Sequence, residues 1–242
     1  MPRQQTVQKS STAYHAHRER QRRRILDAAG RLFDERGIDR VTMADITAAS
    51  GVQASTTYQY FSNKEEVVWT ILREVMQERS ECAQQLVKST ANAEARIRSL
   101  FEFFADELVN EPLKVRFVAQ FDAMYARDWP AERLIALESQ IFPESFGWFA
   151  GLIREGIADG SLRFDLDPEL TMHAVINAVV GTQRRLASLG KKVELEYGHP
   201  VDRLFRETLR VLLLGMRAPE KPRRRPIRKQ MRAKSRKRKL TS

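Results

Sequence analysis

A short stretch of the chain, residues 53 to 60, concentrates side chains that can hydrogen-bond to DNA. Its sequence, QASTTYQY, carries amide, hydroxyl and phenol groups and no acidic residue. Such groups can bond to phosphate oxygens and to base edges, and a helix that exposes them suits the major groove. The outward-facing members are predicted to be Gln53, Ser55, Thr56, Gln59 and Tyr60, and Lys64 adds a cation beside the DNA backbone.

Two short helices joined at a glycine must hold this surface in place. Thr42 is a good N-cap residue and Asp45 completes a capping box, so a helix should begin at about Met43. Gly51 favours the left-handed conformation of a tight turn, and a second helix should follow from about Gln53. This arrangement is typical of a helix-turn-helix motif.

An amphipathic helix is predicted before the motif, from about His17 to Arg36, with Gly37 as its stop. Its apolar residues recur at helical spacing, so they can pack against the apolar residues of the two short helices. Together the three helices predict one small core, made of Ile25, Ala29, Phe33, Ile46, Val52 and Phe61.

The composition favours an all-α protein of one or two domains. At 242 residues the chain is long enough to bury a core. A single cysteine, Cys82, excludes an intramolecular disulfide and indicates a reducing compartment. No apolar run approaches the ~20 residues that span a bilayer, and no signal peptide is evident, so we predict a cytoplasmic protein.

Positive charge is concentrated at both ends of the chain. Residues 1–24 hold seven Lys or Arg and one Glu, and residues 220–242 hold twelve Lys or Arg and one Glu. We expect a flexible basic arm over residues 1–17 and a disordered basic tail over residues 219–242. Such segments can add salt-dependent affinity for DNA without sequence information, and simple solvation is the alternative.

Residues 22 to 72 resemble the DNA-binding domain of the tetracycline-repressor (TetR) family of transcriptional regulators. The similarity rests on an ordered set of elements: ILDAA followed by LF, the stop at Gly37, the cap at Thr42, the turn SGV and the closing segment YQYFSNKEE. It implies an all-α fold of about nine helices. A three-helix helix-turn-helix DNA-binding domain would be followed by a C-terminal helical bundle for ligand binding and dimerisation.

The resemblance also implies roles for individual residues. Phosphates would be contacted by Thr42, Tyr60 and Lys64, and the bases would be approached by Gln53, Ser55 and Thr56, with Tyr58 and Gln59 beside them. Two positions depart from the family, which commonly has glycine where Ser55 stands and a larger aliphatic residue where Thr57 stands. The operator sequence therefore does not transfer.

We assign residues 18–63 to the DNA-binding domain and residues 64–218 to an effector-binding and dimerisation domain. Spacing, prolines and glycines predict helices in the second domain at Lys64–Val87, Ala93–Asn110, Leu113–Arg127, Ala131–Ile141, Glu144–Asp159, Pro168–Leu189 and Val201–Met216.

The last two of these helices carry broad apolar stripes, which the resemblance assigns to a two-fold dimer interface. Its predicted contacts are Val175, Val179, Leu186, Leu209, Leu212 and Leu213. The alternative is that both helices fill the core of their own subunit. The resemblance also implies a small, largely apolar effector in the bundle, and the candidate pocket residues are Phe104, Phe117, Phe121, Met124, Tyr125, Trp148, His173 and Asn177.

Signatures of common enzymes are missing from the sequence, which has no G-x-S-x-G, no glycine-rich phosphate loop, no H-E-x-x-H and no cysteine pair. We predict no catalytic residue, no metal, no cofactor and no membrane partner. The predicted function is a TetR-type repressor that binds a palindromic operator as a homodimer and is released by its effector. The alternative is a DNA-organising or non-specific DNA-binding protein that is driven by its basic tails.

Overall fold

The computed structural model describes residues 3–89, 91–141 and 147–219, and these residues form eleven helices without a strand. In chain order the helices are α1 (Arg3–Arg36), α2 (Met43–Ser50), α3 (Ala54–Tyr60), α4 (Lys64–Val87), α5 (Ala93–Asn110), α6 (Pro112–Asp128), α7 (Ala131–Ile141), α8 (Gly147–Asp159), α9 (Pro168–Leu189), α10 (Lys192–Tyr197) and α11 (Val201–Met216). The predicted all-α class is confirmed. Across these residues, no helix has the length and apolar character needed to cross a membrane.

Most helix boundaries follow the local sequence signals. In the second domain, α4, α5, α7, α9 and α11 begin and end at the predicted residues, and α6 is longer by one residue at each end. The short helix α10 was not predicted, so the described residues hold more helices than the expected nine or so. The predicted start of α8 at Glu144 and the tail residues 220–242 lie outside the described residues.

Helix α1 differs from the prediction in two ways: it begins earlier, and it includes residues that were expected to form a flexible arm. α1 begins at Arg3 instead of at about His17, so residues 3–17 are helical. The sequence offers no reason to stop earlier, because neither proline nor glycine occurs between Arg3 and Ala29. The helix ends at Arg36, where Gly37 adopts a φ of 85°.

Two hydrophobic clusters organise the chain. The first cluster contains all six predicted core residues of the DNA-binding domain, and it extends through the first half of α4 to Phe117 and Phe121 on α6 and Leu137 on α7. The second cluster joins α5, α8, α9 and α11. Because α6 contributes to the first cluster, the core of the DNA-binding domain does not end at the predicted boundary after residue 63.

Two glycines of α8 provide a matched test of the second cluster. A Cβ at Gly156 would lie 2.5 Å from the Leu162 side chain and 3.0 Å from the Ala93 Cβ, whereas a Cβ at Gly151 would meet nothing within 4 Å. Gly156→Ala should therefore lower the free energy of unfolding by about 1–3 kcal/mol. Gly151→Ala should raise it by roughly 0.5–1 kcal/mol, because alanine is the better helix former. Urea unfolding followed by circular dichroism measures both, and the same sign for both variants would contradict this packing.

Candidate nucleic-acid interface

Helix α2 begins with a closed capping box. The Asp45 backbone N–H donates to Thr42 Oγ1 at 3.2 Å, and the Thr42 backbone N–H donates to Asp45 Oδ2 at 2.9 Å. The Thr42 hydroxyl donates to the same carboxylate oxygen at 2.5 Å. These hydrogen bonds from Thr42 lower the pKa of Asp45, because they favour its charged form. The predicted start of the motif is therefore confirmed in its geometry.

The turn between α2 and α3 favours glycine because of its backbone conformation. Gly51 has φ 62° and ψ 21°, in the left-handed region. A Cβ at this position would also lie 2.8 Å from Arg24 Nη2. The Ser50 hydroxyl links the two sides of the turn, since it donates to the Thr47 carbonyl at 3.0 Å and accepts from the Val52 N–H at 3.2 Å.

The predicted outward residues come together on one side of α3. Gln53, Ser55, Tyr58 and Gln59 are exposed, whereas Thr56 and Tyr60 are half-buried. We call the surface formed by Gln53, Ser55, Thr56, Tyr58 and Gln59 the α3 face.

The opposite side of α3 is anchored by Thr57, one of the two positions that depart from the family pattern. Thr57 is fully buried, and its hydroxyl donates to the Gln53 carbonyl at 3.2 Å. The hydroxyl is therefore satisfied within its own helix, and the polar replacement leaves no unpaired group beneath the α3 face.

Helix α1 runs beside the end of α3 and brings part of the basic N-terminal segment next to it. The Tyr60 hydroxyl donates to Gln21 Oε1 at 3.2 Å, and the Arg18 guanidinium lies 5.5 Å from the centre of the Tyr60 ring. Arg20 and Arg24 are also exposed on this helix. The run HRERQRRR was the available signal, but only the helical path of α1 places it next to α3.

Lys64 is the first residue of α4, and its ammonium group already makes two hydrogen bonds within the protein. Its ammonium donates to the carbonyls of Ile38 at 2.8 Å and Asp39 at 3.2 Å. It thus ties α4 to the loop that leads into α2, and its third N–H is left for an outside acceptor. Its contact with a DNA phosphate stays a prediction.

Helix α6 is joined to α1 by paired polar groups, at what we call the α1–α6 junction. Arg116 donates from Nε and Nη2 to the two carboxylate oxygens of Asp34, at 2.5 and 3.0 Å. Gln120 donates to the Phe33 carbonyl at 3.1 Å and accepts from the Ile38 N–H at 2.9 Å. These contacts fix the end of α1 and the following loop against the second domain.

The eight residues predicted for an effector pocket are not brought together. Phe117, Phe121, Met124 and Tyr125 belong to the first cluster or pack against it. Phe104 and Trp148 pack against the second cluster. His173 and Asn177 lie on the exposed side of α9, where Asn177 donates to the His173 carbonyl of its own helix at 2.8 Å. Large apolar side chains at helical spacing do not indicate which of two cores they join.

The centre of the second domain holds a buried polar cluster instead. Arg79 donates to both carboxylate oxygens of Glu107, at 3.0 and 2.8 Å, and the fully buried Gln183 donates to Glu107 at 3.0 Å. Arg184 pairs with Asp122 on α6. Burial, followed by repulsion from Arg79, lowers the pKa of Arg184 to about 10, so this arginine stays charged at neutral pH. These groups largely satisfy one another and connect α4, α5, α6 and α9.

Four of the six predicted dimer contacts also need correction. Val175, Val179, Leu186 and Leu209 are at most 5% exposed, and they fill the second cluster of their own chain. Leu212 and Leu213 are half-buried against the same cluster. The outer sides of α9 and α11 are formed by other residues, because an apolar stripe does not specify which neighbour covers it.

No group of three or more His, Cys, Asp or Glu residues in the described ranges could hold a metal ion. The α3 face presents exposed amide, hydroxyl and phenol groups, with exposed arginines of α1 beside it. A protein in which a capped helix-turn-helix presents such a face, and in which a larger helical bundle supports it, belongs to the class of DNA-binding regulators.

Comparison with known proteins specifies the family within that class. Residues 25–69 match the family described as "Bacterial regulatory proteins, tetR family". The chain is 28% identical over 154 residues to the HTH-type transcriptional repressor KstR2 of Rhodococcus jostii, covering 62% of this chain and 71% of that protein. The matched segment therefore has the character of a TetR-family DNA-binding region, and the chain is similar to TetR-family transcriptional regulators.

Solved structures agree on the fold. KstR2 of Mycobacterium tuberculosis has a TM-score of 0.60 and 22% identity, over 82% of this chain and 95% of that one. FadR of Bacillus subtilis, solved in complex with stearoyl-CoA, has a TM-score of 0.59 and 22% identity, over 79% of this chain and 97% of that one. None of these findings supports the alternative of a tail-driven DNA-organising protein.

The capping box of α2 predicts a specific dependence of stability on pH. The pKa of Asp45 is lowered in the folded state, so its contribution is complete above its ordinary pKa of about 3.9 and is lost as the pH falls through the lowered value. Asp45→Asn should therefore destabilise the protein at pH 7 and do so less at about pH 3, because the contribution shrinks once the pH is below the ordinary pKa. Thr42→Ala should cost about 1 kcal/mol at pH 7, whereas Thr42→Ser keeps the capping oxygen. Denaturant unfolding at both pH values measures these effects, and a pH-independent Asp45→Asn effect would contradict the assigned bonds.

Proposed function

We propose that this regulator is a repressor that binds a palindromic operator as a homodimer and leaves it when a small, largely apolar molecule binds to the second domain. The observation that carries the proposal is the α3 face, which is polar, exposed and free of acidic residues. The naming of similar proteins as repressors and the stearoyl-CoA bound to the Bacillus subtilis FadR support repression and ligand release. We propose no enzymatic activity, and we assign the protein to the bacterial cytoplasm, on the nucleoid when it is bound to DNA.

The proposed contacts with DNA follow from exposure and position. Gln53, Ser55 and Thr56 stand at the start of α3, the part of a recognition helix that meets base edges, with Tyr58 and Gln59 beside them. Thr42, Tyr60 and Lys64 stand at the margins of the α3 face and are assigned to phosphates. The exposed arginines of α1 lie beside the α3 face and add affinity without base preference.

The two kinds of contact should respond differently to substitution. Gln53→Ala should change which base is preferred at one operator position, by about 1–3 kcal/mol of discrimination. Lys64→Ala should weaken binding to all sequences and reduce the salt slope by about one. Fluorescence anisotropy with operator and scrambled duplexes at several salt concentrations measures both.

Exposed residues of the same types serve as controls for the DNA experiment. Gln140 on α7 and Lys192 on α10 lie outside the motif and are exposed. Gln140→Ala and Lys192→Ala should leave affinity and salt slope unchanged. If Gln53→Ala and Lys64→Ala weaken operator and scrambled DNA by the same factor, the division into base and phosphate contacts is wrong.

The dimer surface that we propose lies on the outer sides of α9 and α11, which pack on each other. Val211 and Leu214 on α11 are 55% and 50% exposed. Gly181 on α9 and Gly215 on α11 are exposed, and a Cβ at either would meet nothing within 4 Å. Exposed apolar groups beside open glycines suit the close approach of partner helices about a two-fold axis.

A charge placed on this surface should separate the protomers. Leu214→Glu should convert the dimer to a monomer at micromolar concentration, because the carboxylate would be buried without a partner. Leu195→Glu on α10, where leucine is 88% exposed, is the control and should stay dimeric. Light scattering coupled to size-exclusion chromatography measures the mass, and circular dichroism checks that the helices remain. A dimeric Leu214→Glu variant would contradict the proposed surface.

A further inference from the structure

A cavity of about 260 Å³ lies where α5 is followed by α6 and where the end of α9 approaches the start of α11. Its walls are largely apolar and include the buried side chains of Leu108 and Leu186 together with Val201. Exposed lining residues, among them Asp202, mark its opening. At about 30 Å³ for each water molecule, the volume suits a ligand of roughly ten non-hydrogen atoms. The eight residues predicted for an effector pocket do not line this cavity.

Arg116 is one of the residues that line the cavity, and its guanidinium is permanently charged. Its guanidinium uses Nε and Nη2 for Asp34, and Nη1 has no acceptor among the residues that the structure describes. The free nitrogen carries two N–H donors, and an arginine can bind a carboxylate through such a pair or through one oxygen. We therefore take Arg116 as the group that would receive the anionic end of a ligand in this cavity.

The same arginine is a component of the α1–α6 junction. Asp34 lies on α1 of the DNA-binding domain, and both partners are largely shielded from water, with the Arg116 side chain 30% and the Asp34 side chain 20% exposed. Gln120, one helical turn further along α6, holds Phe33 and Ile38. A ligand that draws Arg116 towards the cavity would thus compete with a contact that positions the DNA-binding domain.

The other charged lining residue is Asp202, in the first turn of α11. It has no ion pair or side-chain hydrogen bond within the described part of the chain, and it is exposed. Its carboxylate would repel an anion at the opening, although water and salt screen an exposed charge. A ligand should therefore place its anionic group at the Arg116 end and its apolar body along the leucines.

We propose that this cavity is an effector site for a small apolar carboxylate, which binds Arg116 and competes with Asp34 for its guanidinium. Binding then favours a conformation in which the α1–α6 junction is weakened and the DNA-binding domain no longer fits its operator. The coupling requires that the ligand bind more tightly to this second conformation than to the DNA-bound one. This inference rests on the proposed ligand-released function, for which it specifies a site and a ligand class.

Isothermal titration calorimetry on the full chain without DNA tests the site directly. The probes are octanoate, whose ten non-hydrogen atoms match the cavity, and the uncharged 1-octanol and cationic octylamine of the same chain length. Octanoate should bind roughly 10- to 100-fold more tightly than either, as expected for a charged hydrogen bond. Equal or tighter binding of 1-octanol or octylamine would overturn the proposed ligand class.

Four substitutions locate the binding. Arg116→Gln should weaken octanoate at least about tenfold, and Asp34→Asn should strengthen it several-fold because the competitor for Arg116 is weakened. Ala187→Leu fills the cavity without altering Arg116 and should abolish binding. Arg127→Gln is the control, because Arg127 lies on α6 outside the cavity and pairs with Asp128. Unchanged octanoate affinity in Arg116→Gln and Ala187→Leu would overturn the site.

Coupling to DNA is measured separately, by the release of labelled operator on addition of octanoate. Wild-type protein should release operator, and Ala187→Leu should keep it. Octanoate binding at Arg116 without operator release would overturn the proposed coupling. If the wild-type protein recognised no operator at all, the proposed function would fail, while the calorimetric result would still decide whether the site exists.

Discussion

The DNA-binding surface depends on the packing of two helices that are too short to be stable alone. α2 has eight residues and α3 has seven, below the roughly 12–15 at which an isolated helix becomes marginally stable. They persist because Ile46, Val52 and Phe61 are buried against α1 and α4. The fully buried Thr57 fixes the rotation of α3, so the same packing decides which polar side chains face outward.

The core beneath this surface continues into the second domain. Phe117 on α6 stacks with Phe33 on α1, with ring centres 6.1 Å apart, and Arg116 and Gln120 add polar contacts on the same helix. The DNA-binding domain therefore packs directly on α6, through both apolar and polar contacts. A ligand that changes the balance of contacts along α6 needs no long pathway to alter the fit to an operator.

Local signals allowed much of the fold to be predicted from sequence, and long-range packing explains most of the errors. The box at Thr42 and the glycine at position 51 act within a few residues, and both were found in the sequence and in the structure. The dimer stripe was misassigned because residues such as Val175 are apolar whether they face their own core or a partner. The residues predicted for the effector pocket do not form one group for a similar reason, since Phe104 and Phe121 look alike in sequence but belong to different clusters.

The central claim is that the α3 face recognises a defined DNA sequence as part of a symmetric dimer. It is tested most directly by sequencing the genomic fragments that the full-length protein retains at physiological salt. We expect a small set of fragments that share an inverted repeat, with half-sites separated by about one helical turn or a multiple of it. Retention of fragments in proportion to their length, with no shared sequence, would contradict the account and would point to binding through the basic segments alone.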